Sequence, residues 1–349
     1  MMFFDGIKVR RSQIPDIAKQ AGVSTATVDR VLHNRMPVRA ATAQRVLKAA
    51  ADLNYLAQDD LWKALRPEPM DIAFLLPSGT NRYLNMLGDT IKNAADMLTP
   101  YHVNCRMHKF DSFDPIKVAA TLRRWGKKSQ AIAFMALDHP KVVDAVDELV
   151  DSGVYVISLI SDLGQSKRSA YVGLDNRAAG RTAAELIGRF AGKGTGSVAM
   201  IAGSLAYRGH EERELGFMRL MQENYPQLRV VGVSEGQDDA ETNYRLTKSL
   251  LTQFPDLVGL YNIGGGAEGV GQALKERSNK SSIQFVAHGL TPDTRALLID
   301  GTLSAVINQT PQTVLLNAVR TCTNLRDNHQ ANTGIEPMRI SIVIRENLP

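Results

Sequence analysis

The sequence predicts an α/β protein: a three-helix module at the N-terminus, then two doubly wound parallel-sheet lobes. Three observations carry this. From Met70 onward short apolar runs alternate with longer amphipathic stretches, as parallel strands and their covering helices do. About 280 residues of such alternation exceed one ordinary core and suit two lobes. Residues 14–54 lack these runs and show helical spacing instead.

Composition and charge bound the rest. The 349 residues are 44% hydrophobic and 22% charged, as in a soluble globular protein. The N-terminus lacks the apolar stretch of a signal peptide, and no later run is long enough to span a bilayer. A cytoplasmic location with no membrane partner is expected. Two cysteines far apart in sequence, Cys105 and Cys322, suit buried thiols in a reducing compartment. Charge is unevenly spread: 11 of the 41 Lys and Arg but only 6 of the 36 Asp and Glu lie in residues 1–66. That segment holds the whole excess of +5. A compact basic module beside a neutral body suits binding to a phosphate backbone, although a solvated surface would read the same way.

Taken in order, residues 1–57 form the helical module. Ile14, Ile17, Ala18 and Ala21 share one helical face. Gly22-Val23 breaks that helix, and Ser24 is placed to cap a second one running to about Leu32, with Val28, Val31 and Leu32 inward. A third covers about Ala41–Asn54 and buries Val46, Leu47, Ala50 and Leu53. Residues 58–69 read as a hinge or linker ending at the breakers Pro67 and Pro69. Residues 70–349 form the body. There the segments 71–77, 130–137, 154–160, 169–174, 197–203, 229–234, 257–263, 283–289 and 303–309 read as buried strands. Leu87–Leu98, Lys141–Asp151, Ala178–Ala191, Glu211–Asn224 and Ala267–Arg277 read as helices between them.

The segment IPDIAKQAGVSTATVDRVLHNR carries the strongest signal. Ala18 lets two helices approach closely, Gly22 supplies the turn, and Val28 packs the second helix on the first. Thr25, Ala26, Thr27, Asp29 and Arg30 are then left near the exposed start of the second helix. In a helix-turn-helix that surface enters the DNA major groove. Arg30 suits guanine or phosphate, while Thr25 and Ala26 suit thymine methyls and base edges.

IPDIAKQAGVSTATVDRVL, followed by VRAATAQRVLKAAADLNY, resembles the headpiece of the LacI/GalR repressor family, and the downstream lobes resemble that family's periplasmic-binding-protein-type effector domain. The likeness covers nearly the whole chain. It implies a DNA-binding transcription regulator, a repressor by family habit, acting as a homodimer or tetramer on a roughly palindromic double-stranded operator. It places Thr25, Ala26 and Arg30 at base-reading positions and Gln13, Ser24 and Asn34 near the DNA backbone. It also implies an N-lobe of about 70–175 and 308–334, and a C-lobe of about 176–307 and 335–349.

Three departures stand out. Asp29 replaces a small polar residue and is placed to orient Arg30 or accept from a cytosine amino group. Arg39 stands where a capping Ser is common, exchanging about 1 kcal/mol of capping for a phosphate contact. The hinge lacks the family's Pro-Asn start and carries Asp59-Asp60, leaving Leu65 or Leu61 as the minor-groove wedge.

Ligands of open α/β sheets bind at the carboxyl ends of the strands. Asn81 and Tyr83 follow the first strand, Asp138 ends the segment MALDHP, and Asn262 precedes Gly264-Gly265-Gly266. Asp175 suits either a ligand contact or a helix cap. By resemblance, Arg213 grips ligand hydroxyls and Gln309 is a polar cleft residue. The family often carries an acid where this chain has Gly289; the preceding His288 is either a ligand contact or structural. Amide, acid and guanidinium groups in a ring suit a small sugar or sugar derivative, since each hydroxyl both donates and accepts.

Two rivals remain. GGGAEG (264–269) matches G-x-G-x-x-G after a strand, as in a nucleotide-binding enzyme, but the next strand ends His288-Gly289 without the acid that holds a ribose. A solute-binding protein would share the lobes without the helical module. No metal-ligand pair emerges from the seven histidines and no nucleophile signature is present, so the reading is non-enzymatic, with neither metal nor cofactor.

Overall fold

The computed structural model describes residues 12–33, 38–53, 55, 69–111, 113–277 and 282–349. The chain divides between Pro69 and Met70 into two compact units.

The first unit holds α1 (Ile14–Ala21), α2 (Thr25–Leu32) and α3 (Ala40–Asp52). Gly22 ends α1 with a left-handed φ of 65°, a turn in which a side chain is costly. Ser24 then caps α2 by accepting from the Thr27 N–H at 3.2 Å. Ile17, Ala18, Ala21, Val28, Val46, Ala49 and Ala50 close one small core. Ser12 Oγ donates to the Leu53 carbonyl at 2.7 Å, tying the start of α1 to the end of α3.

The second unit contains two sheets. One runs β2-β1-β3-β4-β5, from β1 (Met70–Pro77), β2 (Val103–Phe110), β3 (Ala131–Phe134), β4 (Tyr155–Leu159) and β5 (Ala170–Val172), all parallel. Helices α4 (Arg82–Lys92), α5 (Ala95–Leu98), α6 (Pro115–Gly126) and α7 (Pro140–Asp151) connect its strands. The other sheet runs β11-β10-β9-β8-β6-β7. Its strands are β6 (Gly196–Ala202), β7 (Leu228–Glu235), β8 (Leu257–Asn262), β9 (Gln284–His288), β10 (Ala305–Asn308) and β11 (Ser341–Val343), with β11 antiparallel to β10. Helices α8 (Asn176–Ala191), α9 (Arg208–Asn224), α10 (Ala240–Gln253), α11 (Ala267–Lys275) and α12 (Pro292–Ile299) belong with it. Helix α13 (Pro311–Arg326) returns to the first sheet, burying Val314, Leu315, Ala318, Val319 and Cys322. Each sheet is thus covered on both faces by separate apolar clusters. The chain crosses between the lobes after β5, after β10 and before β11.

Two strands escape the sequence pattern. In β2, VNCRMHKF exposes Asn104, Arg106 and Lys109, as an edge strand with one neighbour can. The three-residue β11 is too short to show alternation. The helix expected at Leu87–Leu98 is two, α4 and α5, parted at Asn93-Ala94. Cys105 is only half-buried, whereas Cys322 is buried, and both are free thiols. No helix among the described residues is long and apolar enough to cross a membrane.

Candidate functional site: a DNA-facing helix and an interlobe cleft

In the first unit, packing of Val28 against α1 turns the opposite side of α2 outward. Thr25, Ala26 and Arg30 are exposed there, with Thr27 and Asp29 partly so. The exposed Ser24 shares its hydroxyl with Thr27 Oγ1 at 2.9 Å. Gln13 and Arg39 are exposed at the starts of α1 and α3, and Arg39 makes no side-chain cap. Asp29 engages the His33 ring at 2.9 Å, one turn along the helix. The two share a helix face, as i,i+4 positions do. Asn34, Leu65 and the hinge residues 58–68 lie outside the described residues.

The cleft of the second unit begins with two glycines. A Cβ on Gly180 would lie 1.9 Å from the Arg213 carbonyl oxygen, and one on Gly216 would lie 2.2 Å from that of Arg177. Helices α8 and α9 therefore touch backbone to backbone, bringing Asn176 at the start of α8 beside Arg213 in α9. Asn176 Oδ1 accepts from Arg213 Nε at 2.8 Å, and its Nδ2 donates to the Ile160 carbonyl at 3.0 Å. Ile160 holds φ 65°, costly for a β-branched residue, while its carbonyl receives Asn176 and Tyr171 Oη. Arg213 Nη1 donates to the Ile263 carbonyl at 2.8 Å. Arg213 is 5% exposed and forms no ion pair with any described residue.

Around Arg213 the lining gathers Asn81, Tyr83, His210, His288 and Gln309 with the Gly264–Gly266 loop. Tyr83 Oη and Gln309 Oε1 are buried there without a hydrogen-bond partner. Burial raises the Tyr83 phenol well above its ordinary range, so it stays protonated. His288 Nε2 lies 2.6 Å from Tyr261 Oη, and burial together with Arg213 holds the imidazole well below its usual pKa. His210 is lowered mainly by burial, with Asp238 opposing.

The lobes are shut over this space, which measures about 60 Å³. Asn81 Nδ2 donates to Asp238 Oδ2 at 2.9 Å, and Arg82 Nε meets Asp293 Oδ2 at 3.0 Å. Thr80 Oγ1 donates to the Asp238 carbonyl at 3.3 Å, and the Asp138 N–H donates to the Ala206 carbonyl at 2.9 Å. Asp238 itself sits in a cradle. Its Oδ1 accepts from the Gly265 N–H at 2.6 Å and would lie 2.2 Å from a Cβ on Gly203 or Gly264.

Five of the eight residues expected at a ligand therefore meet: Asn81, Tyr83, Arg213, His288 and Gln309. Three lie outside this lining. Asp175 caps α8 by accepting from the Ala178 N–H at 2.8 Å, and it borders a separate hollow of about 450 Å³ between β5, α13 and residues 331–338. Asn262 Nδ2 donates to the Gly264 and Gly265 carbonyls at 2.9 Å each, shaping the loop rather than facing the cleft. Asp138 Oδ2 accepts from the Gly164 N–H at 2.9 Å and lies 3.8 Å from Arg208. Sequence reasoning missed His210, Asp238 and the positioning role of Asn176. A run of small residues in RAAGRTAA hints that α8 packs closely on a neighbour; nothing local marks Asp238 in GQDD.

Residues 13–58 match the family described as bacterial regulatory proteins, lacI family, and residues 72–329 match the periplasmic binding protein domain. Catabolite control protein A of Staphylococcus aureus is 22% identical over 246 residues, 70% of this chain and 72% of that protein. The HTH-type transcriptional repressor PurR of Mannheimia succiniciproducens is 25% identical over 252 residues, 68% and 69% of the two chains. A glucose-galactose binding protein from Geobacillus stearothermophilus shares the fold with a TM-score of 0.72 at 21% identity, covering 81% of this chain and all of that one. With its helix-turn-helix unit joined to two lobes of periplasmic-binding-protein type, the chain belongs to the lacI family of bacterial regulatory proteins and is a DNA-binding transcription regulator.

Proposed function

We propose that this regulator binds a small sugar-like effector between its two lobes and that the effector sets its affinity for operator DNA. One observation carries the reading: Arg213, Tyr83 Oη and Gln309 Oε1 converge, buried and incompletely bonded, on one shut interlobe space. Buried polar atoms without partners cost about 1–3 kcal/mol each, a cost that ligand hydroxyls remove. Asn81, Tyr83, Arg213, His288 and Gln309 are the ligand contacts. Gln13, Ser24, Thr25, Ala26, Thr27, Asp29, Arg30 and Arg39 are the DNA contacts; Asn34 and Leu65 are assigned by resemblance.

The mechanism is linkage between closure and headpiece spacing. The chain acts as a homodimer whose two headpieces meet half-sites about one helical turn, ~34 Å, apart. Ligand that favours closed lobes shifts that spacing, and a coupling of about 1–3 kcal/mol changes operator affinity roughly 5- to 150-fold. An enzyme using the Gly264–Gly269 loop is disfavoured, since the Gly265 N–H is taken by Asp238 and the loop carbonyls by Asn243 and Asn262.

Truncation tests the reading. Residues 70–349 alone should still bind the effector by calorimetry yet lose operator binding in a gel shift. Operator binding retained by that fragment would place DNA recognition elsewhere.

A further inference from the structure

The body carries no net charge beyond residue 66, yet four cations gather at the C-terminal end of α6: Arg123, Arg124, Lys127 and Lys128. Arg123 has an acid, Glu148, which accepts from its Nε at 2.6 Å and its Nη2 at 2.8 Å. Arg124, Lys127 and Lys128 are exposed, and no acid among the described residues pairs with them. Two of them crowd over one ring. The Arg124 guanidinium lies 5.9 Å and Lys128 Nζ 5.7 Å from the centre of Trp125. Trp125 is fixed in turn, packed on the apolar cluster of that sheet face and stacked on His108 of β2 at 3.7 Å.

The dipole of α6 favours positive charge at this end. It does not explain two cations over one ring with no acid between them. Arg124 and Lys128 stand four apart, where side chains face the same way and like charges repel. An anion placed against both relieves that repulsion. Its source follows from where the cluster sits. Gln130, two residues past Lys128, donates its N–H to the Asp71 carbonyl at 3.0 Å, and its Oε1 accepts from the Asp71 N–H at 2.6 Å. The cluster therefore stands at the end of the first sheet where the chain arrives from the headpiece. Residues 54–69 join the two units and reach at most about 60 Å when fully extended, so a headpiece on DNA keeps this end near the duplex. Duplex DNA offers one negative charge about every 1.7 Å along its axis, a density that suits several cations on one short segment.

We propose that Arg124, Lys127 and Lys128 touch the phosphate backbone of the duplex flanking the operator, so that the body grips DNA as well as the headpiece. This rests on operator binding by the headpiece. Phosphate contacts add affinity without reading sequence. The body alone therefore selects no operator, and the footprint of the full chain outruns its half-sites.

The test is a salt-dependent anisotropy titration of the full chain on two duplexes sharing one site selected in vitro from random sequence. The short one spans about 20 bp, two helical turns, and the long one adds about 10 bp of arbitrary sequence at each end. The long duplex should bind about tenfold more tightly at low salt, with a salt slope steeper by about 1 for each added phosphate contact. Replacing Arg124→Gln, Lys127→Gln and Lys128→Gln together should remove the difference between the duplexes, with a urea melt confirming the fold. Lys127→Arg with Lys128→Arg should keep it, and Arg30→Ala should weaken both duplexes alike. Equal slopes on the two duplexes for the unaltered chain, or a triple variant that keeps the steeper one, overturn the proposal and leave headpiece binding standing. If the chain binds neither duplex, the operator reading falls and takes the proposal with it.

Discussion

Asn176 Oδ1 accepts from Arg213 Nε at 2.8 Å, and this bond fixes the direction in which the guanidinium faces. Asn176→Ala should cost about 1–3 kcal/mol of stability, because it strands a buried donor. The ligand response should weaken while the headpiece retains full operator affinity. Arg213→Ala should abolish the response outright and likewise spare basal DNA binding. Urea melts and gel-shift titrations with and without ligand read both quantities; a normal response in Asn176→Ala would show that the bond orients nothing.

Removing the Asn81–Asp238 contact should loosen closure. Asp238→Asn keeps the size of the side chain and removes the charge that strengthens this bond. Loss of about 1–1.5 kcal/mol would lower apparent ligand affinity roughly tenfold, since affinity scales with the closed population. Small-angle scattering should show a larger unliganded body. Identical scattering and affinity would mean that the latch does not govern closure.

His210 and His288 make the body acid-sensitive. Both imidazoles are lowered by burial in the fold, so each is held neutral there but free to take a proton when unfolded. Stability is then complete above the unfolded value near 6.5 and is lost as pH falls from there toward the folded values. Each histidine contributes a slope of about 1.4 kcal/mol per pH unit in that window. Denaturation between pH 7.5 and 5 should show the loss, and His288→Gln should make it shallower. A variant with an unchanged slope would remove His288 from this account.

Headpiece predictions concern single side chains. Ser24→Ala should cost about 1 kcal/mol through the lost cap of α2. Arg30→Ala should cost about 1–3 kcal/mol on cognate operator and relax base preference. Arg39→Ser should stabilise α3 by about 1 kcal/mol while reducing the salt slope of DNA binding by about 1. Thermal melts and binding at several salt concentrations separate these effects. An unaltered slope in Arg39→Ser would rule out the phosphate contact.

Much of this was legible because the controlling signals are local. Gly22 and Ser24 announce the turn and cap of the headpiece within three residues, and the runs of β1, β3, β4 and β6 are apolar but for Asp71, Ser158 and Ser197. Edge strand β2 was hidden, since three of its eight residues are exposed and polar. In the cleft, Arg213, Gln309 and Tyr83 follow from resemblance and strand-end position. Asn262 did not, because a strand-end amide can face a ligand or fold back on its own loop, and only the loop's carbonyls decide which. Asp238 owes its place to glycines 35 and 26 residues away in sequence, a relation no short motif expresses.

The cradle beneath Asp238 also bears on retargeting this regulator to another signal. Any side chain at Gly203 or Gly264 would displace the carboxylate that Asn81 meets across the cleft. A mutant library including those positions would disturb this contact, whatever else it changed. Variation confined to Tyr83, His288 and Gln309 leaves the Asn81–Asp238 contact intact, so new specificities can be sought there without disturbing it.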